Sequence, residues 1–250
     1  MLHMFRLRQV LPRLALALVG VAVIASAAQT DWRDVESRLQ YAWYTEDARD
    51  LAAVEDRITG LPAADPQRSY YLALTQLREA QLASEAAAMG HAAVSCISSA
   101  DEVLANRPTD AEALALQAFC MELRSRTRAL DVPFAASRSR AQMQKALALA
   151  PKDPRVRLLA AQMGYAVAKT TQERAQQVAP FQSAVDAFEL ERQGMERLPS
   201  WGAAEAWQGL AQVYLDRGDA IAARSALEHA LLLMPDYKSA HRLLDHILKG

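Results

Sequence analysis

Residues 204–235 read AEAWQGLAQVYLDRGDAIAARSALEHALLLMP. Trp207, Leu210, Ala211 and Tyr214 recur at helical steps, so they share one face of a helix that Gly218 ends. Ala223, Leu227 and Ala230 mark a second helix, which Pro235 closes because proline cannot continue it. Large side chains fill the groove between two antiparallel helices, while the small alanines let the backbones approach closely. The stretch encodes one helical hairpin.

Similar punctuation recurs along the chain. Pro62, Pro108, Pro151, Pro199 and Pro235 each follow an apolar helical run, at spacings of 46, 43, 48 and 36 residues. Each proline is expected to end a helix, since it disfavours helical geometry in the residue before it. The first unit pairs a helix from about Asp31 to Tyr44 with one from about Glu46 to Thr59. Trp32, Val35, Leu39 and Ala42 point inward, Thr45 supplies an N-cap and Gly60 a stop. The second unit runs from Pro66 through Tyr70, Tyr71, Leu74 and Leu77 to near Asn106. The third begins at Asp110, buries Ala111, Leu114, Ala118 and Met121, and returns through Met143, Ala146 and Leu147. The fourth starts near Pro154 with Val156, Leu159 and Met163. It resumes at Pro180, a good first helical residue, through Phe181, Ala184, Val185 and Phe188. After Pro235 one helix carries the stripe Ala240, Leu243, Leu244, Ile247 and Leu248, which suits a cap over the last repeat. No long linker divides residues 31–250, so they read as one domain.

The best-formed unit, residues 204–237, resembles the tetratricopeptide repeat, whose length is ~34 residues. The resemblance implies an all-α fold: an α-solenoid of antiparallel helix pairs, about ten paired helices with a C-terminal capping helix, exposing a curved trough. It also implies a protein that binds other proteins or peptides and catalyses nothing. By that resemblance ligands lie along the concave surface, where Glu205, Gln208, Gln212 and Asp216 would face the groove. PKDPRV at 151–156 and PSWG at 199–202 are similar to the turns of a group of exported bacterial tetratricopeptide proteins with elongated middle repeats. The loop from Ala168 to Gln177 departs from that group in having no glycine.

The formal net charge of −1 gives no whole-chain reason to expect nucleic acid, and nine glycines with 6% aromatics argue against a β-rich fold. Arg6, Arg8 and Arg13 precede the apolar run LALALVGVAVI from Leu14 to Ile24, and Ala25-Ser26-Ala27 follows. That order predicts a signal peptide over residues 1–27, removed on export. The run falls short of the ~20 apolar residues a membrane span needs. No cysteine lies near the cut, which excludes the lipid-anchored form, so a soluble periplasmic or secreted protein with no stable membrane anchor is expected. Cys96 and Cys120 each lie twelve residues from Pro108. If Pro108 turns the chain between antiparallel helices, both fall ~18 Å from that turn. A disulfide fits that geometry, and two buried free thiols fit it equally.

No nucleophile elbow, phosphate loop or paired-histidine zinc motif is present, and nothing calls for a cofactor or metal. His241 and Asp245 share helical spacing, but two ligands do not close a metal site. Arg124, Arg126, Arg128, Arg138, Arg140 and Lys145 stand against Asp131 in one stretch. The first three complement a helix dipole at its C-terminal end. Arg138 and Arg140 are the candidate anion patch for an acidic protein or phospholipid surface, against the plainer reading of a solvated charged end. The leading functional reading is a non-enzymatic scaffold or adaptor of the bacterial cell envelope. The alternative is a self-associating structural subunit, a homo-oligomer packed edge to edge or through Trp32, Trp43 and Tyr44.

Overall fold

The computed structural model describes residues 30–127, 132–194 and 197–249. The signal segment expected at residues 1–27 lies outside them, as do Arg128 and Asp131. The described residues form twelve helices: α1 (Trp32–Tyr44), α2 (Ala48–Thr59), α3 (Arg68–Leu82), α4 (Ala86–Asn106), α5 (Ala111–Arg126), α6 (Val132–Leu149), α7 (Pro154–Val167), α8 (Thr171–Ala175), α9 (Val178–Arg192), α10 (Ala203–Asp216), α11 (Ala220–Leu233) and α12 (Lys238–Lys249). They pack as the pairs α1–α2, α3–α4, α5–α6, α7–α9 and α10–α11, with α12 against the last pair. None is long and apolar enough to cross a membrane.

Short polar side chains start these helices. The carboxylates of Asp31, Asp47, Asp110, Asp153 and Asp219 accept from first-turn backbone N–H groups of α1, α2, α5, α7 and α11. Such a cap is worth about 1 kcal/mol. Two expectations need correction here. Asp47, not Thr45, caps α2, because the Thr45 hydroxyl turns back to the Tyr41 carbonyl at 2.8 Å and ends α1. Pro180 is the third residue of α9, since the segment before it forms α8, started by a capping box between Thr170 and Glu173.

Most inward positions read from the sequence form the core, with Val35, Leu39, Leu74, Leu114, Val156, Leu159, Phe181 and Leu210 all buried, whereas Ala111 and Met121, expected inside, are half-buried. Close helix approach depends on Gly209, where an added Cβ would lie 2.2 Å from the Phe181 ring. At the cap the expectation was too strong. Ala240 is buried, Leu243, Leu244 and Ile247 are half-buried, and Leu248 is 62% exposed, because nothing in the described chain packs on the far side of α12.

Cys96 of α4 and Cys120 of α5 are joined with Cα atoms 6.1 Å apart. The bridge ties the second pair to the third and closes a loop with a sequence separation of 24. Restricting the unfolded chain in this way stabilises by about 3 kcal/mol. A double Cys96→Ala/Cys120→Ala variant is expected to lose that amount in urea denaturation while keeping its far-UV circular dichroism. An unchanged midpoint would show that the bridge contributes nothing.

Candidate functional site

The first helices of the pairs line the inner side of the superhelix, where an open trough was expected. That trough is not open. Within residues 31–250 the coil winds until α1 and α3 meet the loop before α10, and its inner face packs against itself along a seam.

Arg78 of α3 donates to Glu205 of α10 at 2.6 Å, and both side chains are only 1% exposed. The Arg78 guanidinium lies 4.5 Å from the Trp43 ring centre and 5.0 Å from that of Trp201, and also donates to Gln81 at 2.9 Å. The cation is thus taken from water into an ion pair and two aromatic faces. Glu36 of α1 is buried alongside. It accepts from Tyr71 at 2.5 Å and from the Ser200 backbone and hydroxyl at 2.7 and 2.6 Å. Toward solvent the seam closes through Tyr44 edge-on to Tyr237, ring centres 4.7 Å apart, and through Arg242, which grips Glu46 at 2.7 and 2.5 Å.

The four groove residues inferred from the repeat pattern share a face of α10 but not a fate. Glu205 is corrected from a groove residue to half of the buried ion pair. Asp216 accepts from Tyr165 at 2.8 Å and lies 3.6 Å from Arg174 of α8, so it too has internal partners. Gln208 and Gln212 line a cavity of about 470 Å³ at the seam, together with Trp43, Glu46, Gln81, Gln162, Tyr237 and Arg242. This cavity draws on α1 and α3 from one end of the coil and α10 and α12 from the other, so it exists only because the coil closes.

Two polar atoms at this cavity are buried with no hydrogen-bond partner: the indole Nε1 of Trp43 and the Oε1 of Gln162. Each such group costs about 1–3 kcal/mol. Glu46 adds strain, being the one non-glycine among the described residues with positive φ, at 51°. Among the described residues the other buried side-chain atoms without partners are arginine Nε groups, of Arg68, Arg78, Arg155 and Arg174, so the cavity holds the two that are not.

The remaining candidates separate. Arg138 and Arg140 are both exposed on α6 but flank the buried Ser139, and residues two apart on a helix diverge, so they form no joint patch. His241 turns its ring to the Pro235 carbonyl at 2.7 Å and Asp245 pairs with Lys249 at 3.3 Å, leaving no metal pair. Trp32 and Tyr44 are buried and Trp43 is half-buried; Trp32 stacks on Tyr71, so this cluster offers no outer surface for self-association.

On its other side Trp201 donates to the Tyr70 hydroxyl at 3.0 Å, and Tyr70 donates to Glu112. Arg155 forks onto Glu191 with both bonds at 2.9 Å and lies 3.9 Å from Glu112. Burial raises the Glu112 carboxyl to about 8, against the lowering effects of Arg155 and the Tyr70 hydrogen bond. Burial likewise raises the Tyr70 hydroxyl.

Two outcomes follow from these pairs. Arg78→Met alone should cost about 3–5 kcal/mol, because Glu205 is then a buried unpaired charge, whereas Arg78→Met with Glu205→Met should recover most of it. Equal losses in the single and double variants, read by chemical denaturation, would contradict the pairing. For Glu112, the folded state keeps a proton that the unfolded chain has released between its ordinary carboxyl range and about 8. Stability therefore falls as pH rises through that window, by roughly 2 kcal/mol between about pH 5 and pH 7. Glu112→Gln should flatten that part of the stability–pH curve, and a curve unchanged in slope would refute the assignment.

No protein-family model and no curated protein matches the chain. Among solved structures, the fold is similar to that of a thermophilic TPR protein of Thermus thermophilus, with a TM-score of 0.55 at 16% sequence identity. The match covers 86% of this chain and 100% of that one. At that identity the likeness concerns the fold, which is an all-α solenoid of the tetratricopeptide kind.

Proposed function

We propose that the chain is a non-enzymatic scaffold of the bacterial cell envelope that holds a protein or peptide partner at the seam. Folds of this kind typically serve protein interaction, and the observation that carries the reading is the seam cavity. It gathers side chains from both ends of the coil and leaves Trp43 and Gln162 with unpaired buried atoms. A preformed cleft of this sort loses little ordering entropy on binding. Export is supported by the basic–apolar–small order of residues 1–27 and by the Cys96–Cys120 bridge, since disulfides persist in oxidising compartments.

A photo-crosslinking amino acid at Gln212, with the same group at the exposed Arg140 as control, tests this in intact cells. One envelope protein attached through position 212 and absent from the control is the expected result. No attached partner, or fractionation of the chain with the cytoplasm, would overturn the reading. The self-association alternative keeps one supporting observation: Ile221 and Leu232 of α11 are 86% and 80% exposed, and Leu248 of α12 is also exposed. A monomer by light scattering would dismiss it.

A further inference from the structure

We infer that the seam cavity selects an uncharged, amide-bearing segment of its partner: a stretch of polypeptide presenting Asn or Gln side chains or backbone amides, not a charged terminus. The inference rests on the partner-binding reading and deepens it. Three features carry it.

The first is the pair of unpaired atoms. Trp43 Nε1 is a donor without an acceptor, and Gln162 Oε1 is an acceptor without a donor. A carboxamide or peptide group is the neutral unit that offers one acceptor and one donor side by side. The second is charge. Glu46 and Arg242 are the two charged residues lining the cavity, and they neutralise each other in a two-pronged pair. A carboxylate or an ammonium group would meet no free counter-charge there, and would be desolvated without return. The third is the lining itself. Gln81, Gln162, Gln208 and Gln212 reach the cavity from α3, α7 and α10, between the aromatic walls of Tyr165, Phe181 and Tyr237. Glutamine amides pair reciprocally with other amides, while the rings take the apolar stems.

The closed seam shuts both unpaired atoms away from water.

The probe is a blocked tri-glutamine peptide, acetylated at its N-terminus and amidated at its C-terminus. Its unblocked zwitterionic form and sodium acetate serve as comparators. The readout is the indole N–H resonance of Trp43 in a ¹⁵N–¹H spectrum, assigned by its loss in Trp43→Phe. Saturable movement of that resonance is expected with the blocked peptide, with binding at least tenfold weaker for the zwitterion and none for acetate. Gln212→Leu and Gln162→Leu should each weaken the blocked peptide about tenfold, the scale of one lost hydrogen bond. Gln212 is the safer variant, as it lies at the surface of the cavity and not in the ion-pair network. No saturable movement, or equal binding of the charged forms, would overturn the inference. If the cross-linked envelope partner is then still captured by the Gln162→Leu/Gln212→Leu chain, the scaffold reading stands and the amide selection alone fails. If no partner is ever captured, the scaffold reading itself has failed.

Discussion

The Arg78–Glu205 pair is the constraint from which the rest of the inner face follows. Two charges that far from water are tolerable only where geometry is good and other partners offset the lost hydration, because desolvation otherwise exceeds the Coulombic gain. Here Trp43 and Trp201 stack on the cation and Gln81 takes a further guanidinium proton, while the Arg78 Nε is buried without a hydrogen-bond partner. Those partners come from α1, α3 and the loop before α10, so satisfying one ion pair fixes the relative position of segments 127 residues apart. Stacked repeats ordinarily contact only their neighbours, and their stability is then close to a sum of local terms. A contact of this range breaks that additivity: loosening α10 exposes an unpaired Arg78, and loosening α1 strips one of its aromatic faces. The coil between them behaves as one cooperative body.

The hairpins were legible in the sequence because they rest on local rules. Proline and glycine stops, aspartate caps and the spacing of Trp32, Val35, Leu39 and Ala42 act within a few residues of one another. Closure was not legible, since Glu36 with Ser200 and Glu46 with Arg242 are joined across 164 and 196 residues and no local pattern marks either member. One signal was present. In α3 every residue from Tyr70 to Arg78 is buried, and α5 is buried continuously from Ala113 to Cys120. A helix covered on all sides cannot line an open trough. The run of tyrosines, leucines and alanines in α3, broken only by Thr75 and Gln76 before Arg78, pointed to a helix wrapped by the coil.

The α10 face shows how a correct geometric inference can carry an incorrect chemical one. Glu205, Gln208, Gln212 and Asp216 do fall on one side of the helix, as their spacing requires. The seam crosses that side obliquely, so its beginning is buried against Arg78, its end is tied to Tyr165 and Arg174, and only the two glutamines between meet open space. Helical periodicity gives direction; distance from the neighbouring wall is a tertiary quantity that the repeat pattern does not encode.

Closure also limits how such a scaffold can hold a partner. A cavity of about 470 Å³ lies within the ~300–1,000 Å³ range of small-ligand sites, while a stable protein interface covers about 800 Å² on each side. The cavity therefore suits an anchor of a few side chains within a larger contact, not the whole interface. An uncharged anchor fits that role, because the polar lining fixes orientation while long-range attraction is left to other surfaces. The net formal charge of −1 adds little steering of its own. A partner held as proposed would take its orientation from the cavity and its strength from the outside of the coil, where Ile221 and Leu232 of α11 and Leu248 of α12 are exposed apolar side chains.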